Sequence, residues 1–381
     1  MRAKNVVIGA AVALWTAVAV TSGTAPAEAV TPASAKLKVK AWQQVALPVG
    51  SIPRDVSTVS ARVVWVADWQ GGILRTTNAG RSWRRTQVTD PADYVTYVAG
   101  VSKKVAYAIT APTTFPATST QRLLRTGNGG RTWRPVLTPP GPDYQLSCLA
   151  MAPDGKRGFV VGKQVSAVPY TSPSQLHLWV TKGAGKRWAP VAAAASPSEF
   201  PTTRLDHTGL SGCFVQQGGS VGIVLQRYTV DPTTYRTNAN YNYLISGSKW
   251  GRHWRAPVEL PPAAGGMGFV QTVAARGKHV LAVGGVDGDD IFTTPGPSWS
   301  AVRSRWSVGG TTPGYMLDVS WVPGRPKTAV AVGFGGTAVT TDRGRTWLPI
   351  DQLELGQVSC AGTTCWAAPR AGATLERLRL R

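Results

Sequence analysis

The sequence predicts an all-β chain, a seven-bladed β-propeller, on three observations. A motif closing on Trp recurs about every 50 residues. The composition disfavours helices, with 42 Gly and 28 Pro in 381 residues. The two chain ends read as complementary parts of one more repeat. Gly and Pro at this density punctuate the chain with turns, and only 16% of residues are charged against 43% hydrophobic, which argues against disorder. A coiled coil, a multi-span membrane protein and a collagen-like fibre are excluded on the same grounds.

Self-similarity is the strongest signal. Leu74-Arg75-Thr76-Thr77-Asn78-Ala79-Gly80-Arg81-Ser82-Trp83 recurs as Leu124-Arg125-Thr126-Gly127-Asn128-Gly129-Gly130-Arg131-Thr132-Trp133. It recurs again as Val339-Thr340-Thr341-Asp342-Arg343-Gly344-Arg345-Thr346-Trp347. Weaker copies close at Trp188 and Trp254, and a degenerate one covers 293–299 and closes at Trp299. The closing Trp residues are 50, 55, 66, 45 and 48 apart, which suits a four-stranded blade. Asp or Asn is expected to cap a tight turn through its backbone two residues on. Gly supplies a left-handed position, and Trp fills the space between blades.

This motif resembles the Asp-box, Ser/Thr-x-Asp-x-Gly-x-Thr-Trp, of BNR-repeat propellers. The copy at 340–347 matches fully, two copies put Asn in the Asp slot, and three lose that group. In repeat style the chain is similar to the photosystem assembly-factor-like group, within a superfamily that also holds sialidase-like and sortilin-like propellers. The resemblance implies a fold, not an activity.

The elements follow in order. In the first blade, 56–60, 63–69, 73–77 and 82–88 read as strands by alternation and β-branched content. Six motif copies define six blades. Segments 357–361, 364–368 and 373–380 read as three strands without a motif, and the segment around Trp42 reads as a fourth. Joining them closes a seventh blade and removes exposed sheet edges; a six-bladed ring is the alternative.

The N-terminus has the layout of a secretory signal. Arg2 and Lys4 precede an apolar run at 6–20, and Ala27-Glu28-Ala29 is a small-x-small cleavage site. The expected organisation is a signal peptide at 1–29, a short tail at 30–35 and one propeller domain at 36–381. No transmembrane span is expected after signal removal, and the mature chain is expected to be secreted or associated with the cell envelope. In an oxidising compartment the four Cys read as disulfides. Cys360 with Cys365 spans a hairpin, and Cys148 with Cys213 bridges neighbouring repeats. Zinc is the weaker reading, because no Cys-x-x-Cys pair exists. His177, His207, His253 and His279 show no metal spacing, so no metal or cofactor is assigned.

By the family resemblance, ligands meet the face opposite the motif turns. Long loops at 112–121, 164–175 and 229–242, with the connection 193–209, mark blades two to four as the candidate sector. Candidate ligand contacts there are Tyr170, Arg204, Asp206, His207, Tyr235, Arg236 and Tyr241. Tyr94, Tyr144 and Tyr315 recur at the start of inner strands, where they either stack on a ligand or pack the channel mouth. The slot after the motif Gly holds Arg81, Arg131, Lys186, Arg252, Pro297 and Arg345, five bases that either solvate a rim or contact a polyanion.

With a net charge of +22, the expected function is a non-catalytic binding or assembly scaffold for a protein segment or an anionic cell-envelope polymer such as an acidic glycopolymer. Nucleic acid is not an expected partner, because export removes it, and a monomer is expected. The alternative is a glycoside hydrolase of the sialidase type. The resemblance there implies three Arg, a Tyr nucleophile with a Glu beside it, and an Asp acid. The Arg-Ile-Pro element of that pattern appears only as Ser51-Ile52-Pro53-Arg54, with the Arg on the wrong side. Asp55, Asp93, Asp143, Asp206 and Asp318 are the acids available at a channel mouth, and no catalytic residue is assigned.

Overall fold

Seven antiparallel sheets follow one another along the chain, and the first strand completes the last of them. The computed structural model describes residue 39 and residues 41–380, apart from 90–92, 113–119, 143, 153, 165–174, 192–205, 217, 231–236, 264–267, 287–293 and 303–304. Of 164, 175, 182, 206–210, 227–230 and 237–240 only the backbone is described.

The inner strands of blades 1 to 7 are Pro53–Ser60, Asp93–Gly100, Tyr144–Met151, Asp206–Val215, Gly268–Arg276, Met316–Trp321 and Leu355–Ala361. Second strands are covered by neighbouring blades on both faces, so they read as apolar runs. Val64, Trp65, Val66 and Ala67 are all fully buried.

The ring closes as the chain ends require. Gln43–Ala46 pairs antiparallel with Thr374–Arg379, setting Gln43 opposite Arg377 and Ala46 opposite Thr374. Trp42 packs with Val330, Val358 and Leu378, and its indole N–H donates to Thr337 Oγ1 at 3.0 Å.

Every inner strand carries a bulge at the same level, just before Asp55, Tyr97, Cys148, Gly212, Thr272, Asp318 and Gln357. A bulge turns the strand and leaves backbone N–H groups facing the channel. Side chains of the next blade's neighbour answer them. Asp55 Oδ2 accepts from the N–H of Val98 at 2.7 Å, and Asp318 Oδ2 accepts from that of Val358 at 2.8 Å. Two residues further on, Ser57 accepts from Gly100 N–H, Ser320 from Cys360 N–H and Ser359 from Thr58 N–H. Between blades 3 and 4 the same place is taken by the Cys148–Cys213 disulfide. The second disulfide joins the cross-strand pair Cys360–Cys365, whose Cα atoms lie 4.0 Å apart.

The motif turns connect third to fourth strands. Thr76 Oγ1 accepts from the N–H of Gly80, and Asn78 Oδ1 accepts from the N–H of Ser82, both at 3.0 Å. Thr126 with Asn128 and Thr340 with Asp342 repeat the pattern. The Asx oxygen thus caps the backbone four residues on, not two as expected. Two successive left-handed residues explain the longer reach, as at Ala79 (φ 63°) and Gly80 (φ 84°). Four closing Trp residues stand edge-on against an aromatic of the preceding blade: Trp83 on Trp366, Trp133 on Trp65, Trp188 on Tyr107 and Trp254 on Phe159. The fifth, Trp347, packs with Leu281 and donates its N–H to Ser298 Oγ at 3.1 Å.

Blade 5 departs from the expected pattern. Trp299 does not close a motif turn; it lies in the third strand, Ser298–Val302, fully buried, with its N–H donated to Pro261 O at 2.9 Å. Its fourth strand, Arg305–Val308, follows directly and carries Trp306 instead. Pro297 is therefore not a turn position.

Candidate functional site

Inner-strand starts, second-to-third turns and fourth-to-first connections share one end of the ring. First-to-second and motif turns share the other. On the first end, blade 1 builds an aromatic and arginine stack. Asp68, fully buried, accepts from the N–H groups of Ile52 and Gln70 and from Arg85 Nε at 2.8 Å. Those bonds shape the turn that presents Trp69. Gly71 follows at φ 74°, where a Cβ would collide with Thr89 Oγ1.

Trp69 stacks on Tyr94 of blade 2, with ring centroids 5.2 Å apart. The Arg54 guanidinium lies 3.7 Å from the Trp69 centroid and 4.8 Å from that of Tyr94. Cation–π contact of this kind is strongest where water is excluded, and burial pushes the Arg54 guanidinium down from its ordinary value. Trp69 keeps 45% of its surface exposed and Ile52 keeps 40%. The N–H of Trp69 donates to Ile52 O at 3.0 Å, so the two apolar side chains present one patch.

A second stack stands on blades 5 to 7. Tyr315 stacks on Phe334 at 5.4 Å and meets Phe269 edge-on at 5.1 Å. Its hydroxyl donates to Gln271 Oε1 at 2.6 Å, and burial pushes that hydroxyl up to about 12. Arg370 covers Phe334 at 3.7 Å and pairs with Glu354 at 2.8 Å.

Between the stacks, the channel holds a layer of Asp55, Asp318 and the Tyr97 hydroxyl. Burial pushes Asp55 up to about 7, aided by the nearby Asp318 charge, while the N–H groups of Val98 and Val56 pull it down. Burial likewise raises Asp318 to about 7, and the N–H groups of Val358 and Val319 oppose it. The same burial and both charges raise Tyr97. These are two of the five acids expected at the channel mouth, and both oxygens of each are engaged in holding strands.

The other expected residues fall as follows. Tyr94, Tyr144 and Tyr315 all sit at inner-strand starts, half-buried, each against a neighbouring ring; Tyr144 meets His177 at 4.8 Å. Tyr170, Arg204, Tyr235, Arg236 and Asp143 lie outside the described residues. Asp206 and His207 begin the inner strand of blade 4, opposite Thr229 and Tyr228. The expected loop 229–242 is shorter, because strands Val221–Val230 and Thr237–Ser248 run further. Tyr241 is accordingly a strand residue opposite Arg227, and it is exposed. Arg81, Arg131, Lys186, Arg252 and Arg345 are exposed on the motif-turn end, away from both stacks. Among the described residues no group of three His, Cys, Asp or Glu is placed to hold a metal ion, and no helix is long and apolar enough to cross a membrane.

Arg54, Trp69, Phe334 and Arg370 were not legible as site residues. A signal existed: Trp69-Gln70-Gly71-Gly72 and Phe334-Gly335-Gly336 place an aromatic before a glycine pair at matching turns.

The fold defines the chain as a seven-bladed β-propeller. No family model and no curated protein matches its sequence. Among solved structures, it is similar to YCF48 from Cyanidioschyzon merolae, at 16% identity and TM-score 0.57, over 89% of this chain and 99% of that one. It is also similar to YCF48 bound to D1 peptide, at 13% identity and TM-score 0.56, over 88% and 94%. A polysaccharide lyase of family PL25, an ulvan lyase, aligns at 9% identity and TM-score 0.56, over 88% and 95%.

Proposed function

We propose that this propeller is an exported binding or assembly scaffold of the Asp-box type, which grips a protein segment or an acidic glycopolymer on the end that carries the two arginine–aromatic stacks. The observation that carries the reading is the exposed Trp69 and Ile52 patch backed by Arg54. An exposed aromatic on a rigid frame is a common binding anchor, and a stacked guanidinium beside it favours an anionic group. The engagement of Asp55 and Asp318 in strand contacts favours binding over hydrolysis. Two disulfides suit export, in keeping with a signal peptide at 1–29 and a single domain at 36–381. That one similar propeller has been solved with a peptide bound makes a protein segment a reasonable partner.

The test is a wall-polymer and peptide array probed with purified residues 30–381 at low and moderate salt, with product release read on the same spots. Retention without release, weakened about tenfold or more by Trp69→Ala or Arg54→Ala, supports the reading. Released sugar, or retention unchanged in both variants, overturns it.

A further inference from the structure

The contact between blades 4 and 5 is missing three parts that the contacts after blades 1, 2 and 7 possess. In blades 1, 2 and 7 a large second-strand ring lies opposite an Arg of the third strand: Trp65 opposite Arg75, Tyr107 opposite Arg125 and Trp366 opposite Arg377. Blades 3, 5 and 6 keep a bulky apolar residue there without the Arg: Phe159, Leu281 and Val330. Each Arg stacks on its ring, 5.4 to 5.8 Å from the centroid, and the motif turn of the following blade closes over both. In blade 4 the matching pair is Gly222 opposite Ser246. Phe214 lies across Gly222, so that a Cβ there would enter its ring. Blade 5, in turn, has no motif turn to lay over this place.

The result is a cavity of about 490 Å³ at the motif-turn end, opening between the two blades. That size holds a sugar ring or a small acid. Its floor is apolar, with Phe214, Val280 and the Trp306 ring. Its polar lining is Gln216, Ser220, Ser246 and Ser248 with two cations. Gln216 Nε2 and Trp306 Nε1 are buried and bond no protein acceptor, which is a cost that a ligand oxygen would relieve. Arg255 and Lys278 stand exposed at the lip. No described residue lining the cavity carries a carboxylate.

We propose that this cavity binds a pyranose unit bearing a carboxylate, a uronic acid of an acidic saccharide. The indole and phenyl faces suit the C–H face of a sugar ring. Ser246 and Gln216 suit its hydroxyls, and the two cations suit its carboxylate. The site is at the opposite end from the Trp69 patch and does not rest on that reading.

Saturation-transfer NMR with glucuronic acid tests it, with methyl glucoside as the neutral control. Wild type is expected to show transfer to glucuronic acid, and Trp69→Ala to retain it. Ser246→Phe, which refills the cavity, is expected to abolish it. Arg255→Glu with Lys278→Glu, both at exposed positions, is expected to weaken it tenfold or more while leaving the neutral sugar unchanged. No transfer in wild type at tens of millimolar, wild-type transfer in a folded Ser246→Phe, or equal binding of both sugars overturns the proposal. If Ser246→Phe fails to fold, the charge-reversal pair decides alone, and unchanged binding there overturns it.

Discussion

Asp55 reaches across from blade 1 to the backbone N–H of Val98 in blade 2 at 2.7 Å, one residue past a bulge. Cys148 occupies the matching place in blade 3 and reaches Cys213 of blade 4 through a covalent bond. Asp318 repeats the carboxylate version toward Val358. Inner strands of a propeller are edge strands whose ladder groups face the channel. A carboxylate, a hydroxyl or a disulfide at one fixed level therefore joins blade to blade where no ladder can.

The carboxylates make stability depend on pH. Asp55 and Asp318 are both raised to about 7 in the folded chain, against about 3.9 in an unfolded one. Between these values the folded state holds protons that the unfolded state has released. Their contribution is thus fully present below about pH 4 and is lost as the pH rises through about 7. The melting temperature of wild type is expected to fall across that window, and Asp55→Asn with Asp318→Asn to flatten the fall. At pH 5, Asp55→Asn alone is expected to cost about 1–3 kcal/mol, because an amide N–H₂ would face a backbone donor. Equal slopes in wild type and the double variant would refute the assignment.

The two disulfides should differ in weight. Cys148–Cys213 closes a separation of 65 residues and Cys360–Cys365 one of 5. Loop entropy then assigns about 4 kcal/mol to the first and about 2 to the second. Denaturant melts of the two double-Ser variants are expected to rank in that order. Cys148→Asp with Cys213→Val is expected to recover part of the first loss, since it restores the carboxylate arrangement of Asp55; no recovery would show that the two devices are not equivalent.

The closing strand offers a third check. Removing residues 1–48 takes away Gln43–Ala46 and Trp42, uncovering the edge of Thr374–Arg379 and the side of Val330 and Leu378. An open edge beside bared apolar surface pairs with other chains. Light scattering on heating is expected to begin at least several degrees lower than for residues 30–381. An unchanged onset would mean that the strand contributes little to closure.

Much of this was legible because repeats repeat. The turns at Asn78, Asn128 and Asp342 are capped by their own side chains, four residues on and not two, and local chemistry of that kind needs no partner from elsewhere in the chain. Trp299 misled for the opposite reason. Its Thr-Thr-Pro-Gly-Pro-Ser-Trp context imitates a worn motif, but its indole is fully buried and bonded to Pro261, 38 residues away. Nor did any local pattern set Arg54 between Trp69 and Tyr94, because the three residues meet only when blades 1 and 2 pack.

The sequence by itself pointed to the all-β repeat, the closing strand and the Cys360–Cys365 hairpin disulfide; seven blades rather than six, and the Cys148–Cys213 pairing, were decided by the tertiary structure. Period, turn residues and complementary ends are properties of the linear order. Tertiary structure alone decided which residues stack at the end where the inner strands start and that Asp55 and Asp318 serve as blade clasps. It alone also made the replacement of Trp and Arg by Gly222 and Ser246 into a cavity. Each of those depends on what a neighbouring blade does or does not bring into contact, and side chains tens of residues apart acquire a shared environment only once the ring is closed.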